Sequence, residues 1–210
     1  MQRRFASYWP NLAHDSEQTS LELVRRTTVL NMASIGHVAI GMVASRRYRR
    51  GRNSRWSGAL SMVCWSALSL LPDADAIGFR LGIRYGDEWG HRGATHSLAF
   101  AAAASLFAWL VSPFFRAPRT RTAAFVFAVV ASHPLLDSLT TGGKGCALLW
   151  PFDLTRYFAP WRLIPVAPIG LAFFSSRGLA VAFVELLLFL PCFIYALWPQ
   201  RRPGELDVAA

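Results

Sequence analysis

Five apolar stretches, at about residues 27–45, 56–72, 95–115, 122–139 and 179–198, leave this chain little choice of architecture. Backbone polar groups in lipid must be satisfied within their own segment, so apolar runs of this length are expected to be helices. Several fall short of the ~20 residues that cross a typical bilayer. Short, imperfect spans suggest helices that pack together and share polar groups. The expected fold is therefore all-α: a polytopic membrane helical bundle of about five transmembrane helices with a partly irregular outer loop region. It divides into a polar N-terminal tail (1–26), a membrane-embedded domain (27–199) and a C-terminal tail (200–210).

Composition agrees, since 53% of residues are hydrophobic, 16% are charged and the mean hydropathy is +0.30. The net charge of +10 then needs its own explanation. All but one of the 22 basic residues are arginine, and they gather at the ends of the apolar runs, where anionic head groups would welcome them. Nucleic acid is not an expected partner, because the longest basic run joins two apolar segments and forms no basic face on a soluble fold. The bilayer is.

If each stretch crosses once, the linkers "RRYRRGRNSR" (46–55) and "RAPRTR" (116–121) and the tail "RR" (201–202) share one side, expected to be cytoplasmic. Lys and Arg total the same on both sides, so this orientation rests on density in the short loops and on most acids lying opposite. The turn 73–94 and the long segment 139–178 then face outward, toward the periplasm. Prolines and glycines in 139–178 predict loop or re-entrant structure there. "MQRRFASYWPNLAHDSEQTS" lacks a continuous apolar core and reads as a polar tail rather than a signal peptide. Cys64, Cys146 and Cys192 show no paired spacing.

Ionisable groups stand where such a chain should avoid them. His37 interrupts "NMASIGHVAIGMV", Asp73 and Asp75 close the second stretch in "SLLPDADAIG", His91 and His96 open the third in "HRGATHSL", and His133 and Asp137 end the fourth in "ASHPLLDSLTTGG". Glycine at 93 predicts a turn between His91 and His96, with Thr95 as N-cap and His96 in the first helical turn. His133 and Asp137 have the i, i+4 spacing of one helical face, although Pro134 between them should distort the turn or mark a helix start. Asp73 and Asp75 alternate, as on an extended exit from a helix.

Imidazole nitrogens and carboxylate oxygens are ligands for Zn²⁺, Mn²⁺ or Fe²⁺. Seven candidates exceed the needs of one tetrahedral ion. Two ions would use them and would suit hydrolysis, one activating water and both steadying charge on the reacting oxygens. Each residue also has a plain structural alternative: a buried hydrogen-bonding histidine, a turn aspartate after Pro72, a local His–Asp pair. His37 lies far from a helix end as the first stretch is drawn. The shared site is favoured because intramembrane ionisable groups are costly and these accumulate at one side.

Weaker features surround it. Arg92, Thr95 and Ser97 are placed to meet an anionic substrate, or Arg92 pairs with Asp87 or Glu88. Lys144 in "TTGGKG" lacks the spacing of a nucleotide-binding phosphate loop. Trp150, Tyr157, Phe158 and Trp161 suit an interfacial aromatic belt. Glu185 is the one charge in "LAVAFVELLLFLPCFIYALW" and fits either a partner to the site or a buried protonated acid.

"GHVAIG", "LLPDADAIG", "HRGATHSL" and "SHPLLDSLTTGG", in this order, followed by "LLWPFD" and "RYFAPWRLIPVAPIG", resemble the bacterial inner-membrane-associated, metal-dependent hydrolases of the YdjM type, LexA-regulated in some members. The resemblance covers roughly residues 33–195. It implies a helical inner-membrane protein with a distant similarity to zinc-dependent phospholipase C-like enzymes and a link to the SOS response. The polar motif positions it carries over are His37, Asp73, Asp75, His91, His96, His133 and Asp137. The resulting expectation is hydrolysis of a phosphoester in a lipid or membrane-derived substrate, with one or two divalent ions, most simply Zn²⁺. His91, His96, His133 and Asp137 would be direct ligands, Asp73 or Asp75 a further ligand or general base, and Arg92 the phosphate contact. A metal-ion or proton transporter and a non-catalytic protein with a structural metal are the alternatives.

Overall fold

The computed structural model describes residues 35–49, 58–166 and 174–199. The two tails, residues 27–34 of the first apolar stretch and the arginine-rich linker from residue 50 lie outside the described residues. Among the described residues seven α-helices follow in order: α1 (Ile35–Arg49), α2 (Gly58–Ser69), α3 (Ile77–Arg80), α4 (Leu98–Val111), α5 (Arg119–Ser138), α6 (Ser176–Leu188) and α7 (Leu190–Leu197). Three 3₁₀ segments, Leu71–Ala76, Ala94–His96 and Ser112–Phe115, join or extend them. No strand occurs among the described residues. Two isolated bridges, Thr140 with Ile164 and Cys146 with Tyr157, fold the long outer loop back on itself.

Every apolar stretch is helical where it is described. α4 with its 3₁₀ extension, Leu98–Phe115, is long and apolar enough to cross a membrane. Two bent pairs bring the number of candidate spans among the described residues to three if each is a single span: Gly58–Ser69 with Leu71–Arg80, bent by 57°, and Ser176–Leu188 with Leu190–Leu197, bent by 60°. The second bend has a local cause. Pro191 stands in the first turn of α7 and cannot continue the hydrogen-bond ladder of α6.

Large apolar side chains face out and small or polar ones face in, the reverse of a soluble core. Leu106, Phe107, Leu110, Phe183 and Leu187 are exposed, whereas Ala39, Ala101, Ser45, Ser69 and His96 are completely buried. Small residues let helices approach closely where lipid supplies no hydrophobic drive for association. At the α1–α2 crossing a Cβ on Gly41 would lie 2.6 Å from the Ser66 nitrogen, so only glycine fits. Ser45 donates to Ser61 at 2.8 Å and Ser66 to the Val38 carbonyl at 3.1 Å across the same interface. Such interhelical bonds are worth about 0.6 kcal/mol each on average. The alanine-rich face of α4 lies on α5, with Ala101 against Val126, Val129 and Val130 and with Ser105 donating to the Ala123 carbonyl at 2.8 Å.

Two local expectations are corrected, and a third is narrowed because no helix starts at Pro134. The N-cap of α4 is Ser97, whose hydroxyl accepts from the Phe100 amide at 3.0 Å; Ala94–His96 forms a 3₁₀ turn ahead of it, which displaces Thr95 from the capping position. Asp73 and Asp75 lie in a 3₁₀ segment begun by Pro72, not on an extended exit. α5 runs through Pro134 to Ser138, with Pro134 fully buried.

Candidate metal centre

All seven sequence candidates meet at one end of the bundle. His37 comes from the first described turn of α1, Asp73 and Asp75 from the 3₁₀ segment after α2, His91 and His96 from the loop and turn before α4, and His133 and Asp137 from the last turns of α5. His37 is fully a member: its Nε2 lies 3.4 Å from Asp137 Oδ1, and its ring stacks on His133. Two sets of three place their ligand atoms within 4.8 Å of one another, His37/His133/Asp137 and Asp73/His91/His96. They adjoin, because His133 Nε2 is 3.3 Å from Asp73 Oδ1 and His96 Nε2 is 3.7 Å from Asp137 Oδ2.

The backbone and outer side chains aim these rings. His133 Nδ1 donates to the Ser69 carbonyl at 2.8 Å; a carbonyl can only accept, so Nδ1 carries the proton and Nε2 the lone pair. Asp75 uses both oxygens on its neighbours. Oδ1 accepts from His91 Nδ1 at 2.8 Å, while Oδ2 accepts from the Thr95 hydroxyl at 2.6 Å and lies 3.1 Å from His96 Nδ1. This carboxylate–histidine arrangement turns His96 Nε2 toward Asp73 and Asp137 and is the usual outer support of a metal-binding imidazole. Both Asp75 oxygens are thus taken up by His91, Thr95 and His96. The carboxylate with oxygen to spare is Asp73.

Do these residues fit a cation? His96 Nε2, His133 Nε2, Asp73 Oδ2 and His37 Nδ1 are buried and have no hydrogen-bond partner. Each such atom costs about 1–3 kcal/mol if left unsatisfied, and the first two both face Asp73 Oδ1. The cluster also holds three carboxylates and one guanidinium, that of Arg92 against Asp137, leaving two negative charges when the imidazoles are neutral. A mixed imidazole and carboxylate set with this charge fits a divalent cation. In the turn ahead of α4, burial opposes a charged His96, but the neighbouring carboxylates of Asp73 and Asp75 outweigh it and push the imidazole up to about 9. A proton on His96 therefore offsets part of the negative charge.

Arg92 takes neither of its expected partners, Asp87 or Glu88. Its Nε lies 2.9 Å from Asp137 Oδ2, at an angle too poor for a hydrogen bond, and its Nη1 donates to Thr140 and to the Gly142 carbonyl. Burial pushes the nearby Cys146 thiol up, so it stays protonated. Arg156, to which no motif in the sequence points, donates to the carbonyls of His91 (2.8 Å), Tyr85 (3.2 Å) and Asp87 (2.9 Å) and so holds the His91 loop. Trp150 donates to Glu88 at 2.6 Å, while Phe152 and Trp161 stand exposed on the outer loop. Glu185 is buried in α6 and accepts from the Gly36 amide at 3.3 Å, one residue from His37.

A polar, ionisable centre inside a shell of outward-facing apolar helices agrees with the comparisons to known proteins. The family described as YdjM inner membrane protein matches residues 32–202. The chain belongs to that family. It is 44% identical over 140 residues to the inner membrane protein YbcI of Escherichia coli strain K12, covering 64% of this chain and 81% of that one. No solved structure matches. Members of this family are inner membrane proteins, and in this one the matched region contains the entire His/Asp cluster.

Proposed function

We propose that this inner membrane protein is a metal-dependent hydrolase acting on a phosphoester, of a lipid or another membrane-derived molecule. The observation that carries the reading is that the buried, partnerless His96 Nε2 and His133 Nε2 both face Asp73 Oδ1, at 3.5 and 3.3 Å, while Asp73 Oδ2 is itself buried without a partner. His96, His133, Asp73 and Asp137 would hold the ion, with His37 and His91 completing one or two sites. When bound there, Zn²⁺, Mn²⁺ or Fe²⁺ supplies Lewis acidity toward water and a phosphoryl oxygen. Asp75 and the Ser69 carbonyl hold the imidazoles in register, and Arg92 fixes Asp137.

A catalytic site, unlike a structural one, keeps an open side. The imidazoles are at most 3% exposed, but the side chains of Asp73 and Asp137 retain 14% and 10%. That supports an opening on the carboxylate side. Transport is favoured less, because the core between the centre and the far end is packed with Ala44, Trp65, Ala101, Val126, Val129 and Val130, none of them ionisable. We also read all five apolar stretches as spans, with the centre toward the periplasm and the arginine-dense loops in the cytoplasm.

The test is metal analysis of detergent-purified protein beside His96→Ala and Asp137→Ala, followed by a screen of phosphomonoesters and phosphodiesters, lipids included. Stoichiometric metal lost in both variants, together with turnover by the wild type alone, is the expected result. Metal retained in both removes the site. Metal lost without any wild-type turnover leaves the non-catalytic alternative in its place.

A further inference from the structure

The loop "TTGGKG" (140–145) contributes none of the seven candidate ligands, yet through Arg92 it adjoins Asp137 of the centre. From Asp137 the contacts run outward in order. Arg92 Nε lies against Asp137, and Arg92 Nη1 is held by Thr140 and the Gly142 carbonyl. The guanidinium is packed under Gly143: a Cβ there would sit 2.5 Å from Arg92 Nη1 and 3.0 Å from the Tyr85 hydroxyl, and φ is +84°. A side chain at 143 would fill the space between the two groups. The Tyr85 ring meets His91 edge-on at 5.2 Å, and Lys144 Nζ stands 5.9 Å from the centre of the same ring. Lys144 Nζ is also close over the opposite loop, where a Cβ on Gly86 would lie 3.0 Å from it.

Three donors of different character therefore share one rim. Arg92 is buried, ion-paired with Asp137 and committed by Nη1, so it serves as fixed positive charge behind the rim. Lys144 is exposed, and no carboxylate lies within 4 Å of it among the described residues. An ammonium on a flexible stem is a point-charge donor suited to phosphate. An anion approaching three carboxylates needs such a rim, because the field of Asp73, Asp75 and Asp137 opposes it.

We propose that Lys144, with the Tyr85 hydroxyl and backed by Arg92, binds the anionic phosphoryl group of the substrate at the mouth of the metal centre. This rests on the phosphoester reading above and makes Lys144 the residue that selects for an anionic group. The chemistry is shared by a lipid head group and a soluble phosphate ester.

The test uses metal-loaded, detergent-purified full-length protein titrated with inorganic phosphate in one arm and with micellar phosphatidic acid in the other. Lys144→Ala is compared with Lys144→Arg and Tyr85→Phe. Expected for Lys144→Ala is about a tenfold weaker affinity. Lys144→Arg should recover most of it, Tyr85→Phe should lose a smaller factor, and metal content should be unchanged in all three. Loss in both arms supports a general phosphoryl site; loss with phosphatidic acid alone, or with inorganic phosphate alone, supports it and assigns the source. Wild-type affinity in Lys144→Ala in both arms, or no binding by the wild type in either, overturns it. The outcome is separable from the hydrolase reading, since phosphate binding that depends on Lys144 can be present without turnover, and turnover without such dependence.

Discussion

The imidazole of His37 lies face to face on that of His133, with ring centroids 3.8 Å apart and planes 16° from parallel. The stack joins the first described turn of α1 to the penultimate turn of α5. It gives His37 two separable roles, a flat surface that fixes the His133 ring and a nitrogen 3.4 Å from Asp137. His37→Phe keeps the surface and removes the nitrogen, whereas His37→Ala removes both. Metal affinity is expected to fall by about 10–100-fold or more in each. Only the alanine variant should also lose about 3 °C or more of melting temperature, from the buried volume removed. Chelator competition and thermal unfolding in detergent check this; equal metal affinity in His37→Phe and the wild type removes His37 from the ligand set.

Asp75 touches His91, His96 and Thr95 with its two oxygens and leaves none facing the other carboxylates. Asp75→Asn replaces one acceptor oxygen with a donor, which cannot accept from both imidazoles. The expected result is metal affinity lowered by about 10–100-fold with the protein still folded. Thr95→Ala, which deletes one of the carboxylate's bonds, should cost a small fraction of that. A first-order role for Asp75 as a ligand would instead show as stoichiometric loss of an ion, which metal counting distinguishes from weakened binding.

Membership of the centre was legible in the sequence because the cost of an ionisable group in an apolar segment is a local property. Asp73, His96, His133 and Asp137 needed no knowledge of the fold to be noticed. Their division of labour was not legible, since it depends on direction. Asp73 and Asp75 differ by two residues in one 3₁₀ segment, and only its placement beside His91 gives both oxygens of one of them a partner and leaves the other with an oxygen that has none. Thr95 and Ser97 are both good caps; the 3₁₀ turn at Ala94–His96 decides between them by turning Thr95 toward Asp75. Arg156 was invisible because its partners are backbone carbonyls about 65–71 residues away. The bend between α6 and α7, by contrast, had a signal in Pro191 that a hydropathy pattern alone passes over.

Protons and a cation compete for the same nitrogen on His96. Its neighbours push it up to about 9, above the ordinary range of a histidine, so at neutral pH the proton is the occupant to be displaced. The sign follows directly: as pH rises toward 9 the proton leaves more readily and metal affinity increases, and as pH falls affinity decreases. Between pH 6 and pH 8 affinity should rise by about tenfold per unit for one proton released. Isothermal titration in buffers of different ionisation enthalpy measures that proton. Affinity independent of pH across this range would show that the ion does not use His96.

Arg156 holds three carbonyls of the segment that carries His91, one of them the carbonyl of His91 itself. Planar guanidinium geometry lets two nitrogens bond in diverging directions, which a lysine ammonium on a similar stem does not reproduce. Arg156→Ala is expected to lower the local opening free energy of residues 84–92 by about 1–2 kcal/mol, toward the lower end for charge-assisted bonds because part of the network is exposed to solvent. Amide exchange in that segment should quicken by roughly tenfold, with exchange in α4 and α5 unchanged. Arg156→Lys should behave like the alanine variant. If exchange in 84–92 is the same in all three proteins, the His91 loop is held by its own turns, and Arg156 has no positioning role.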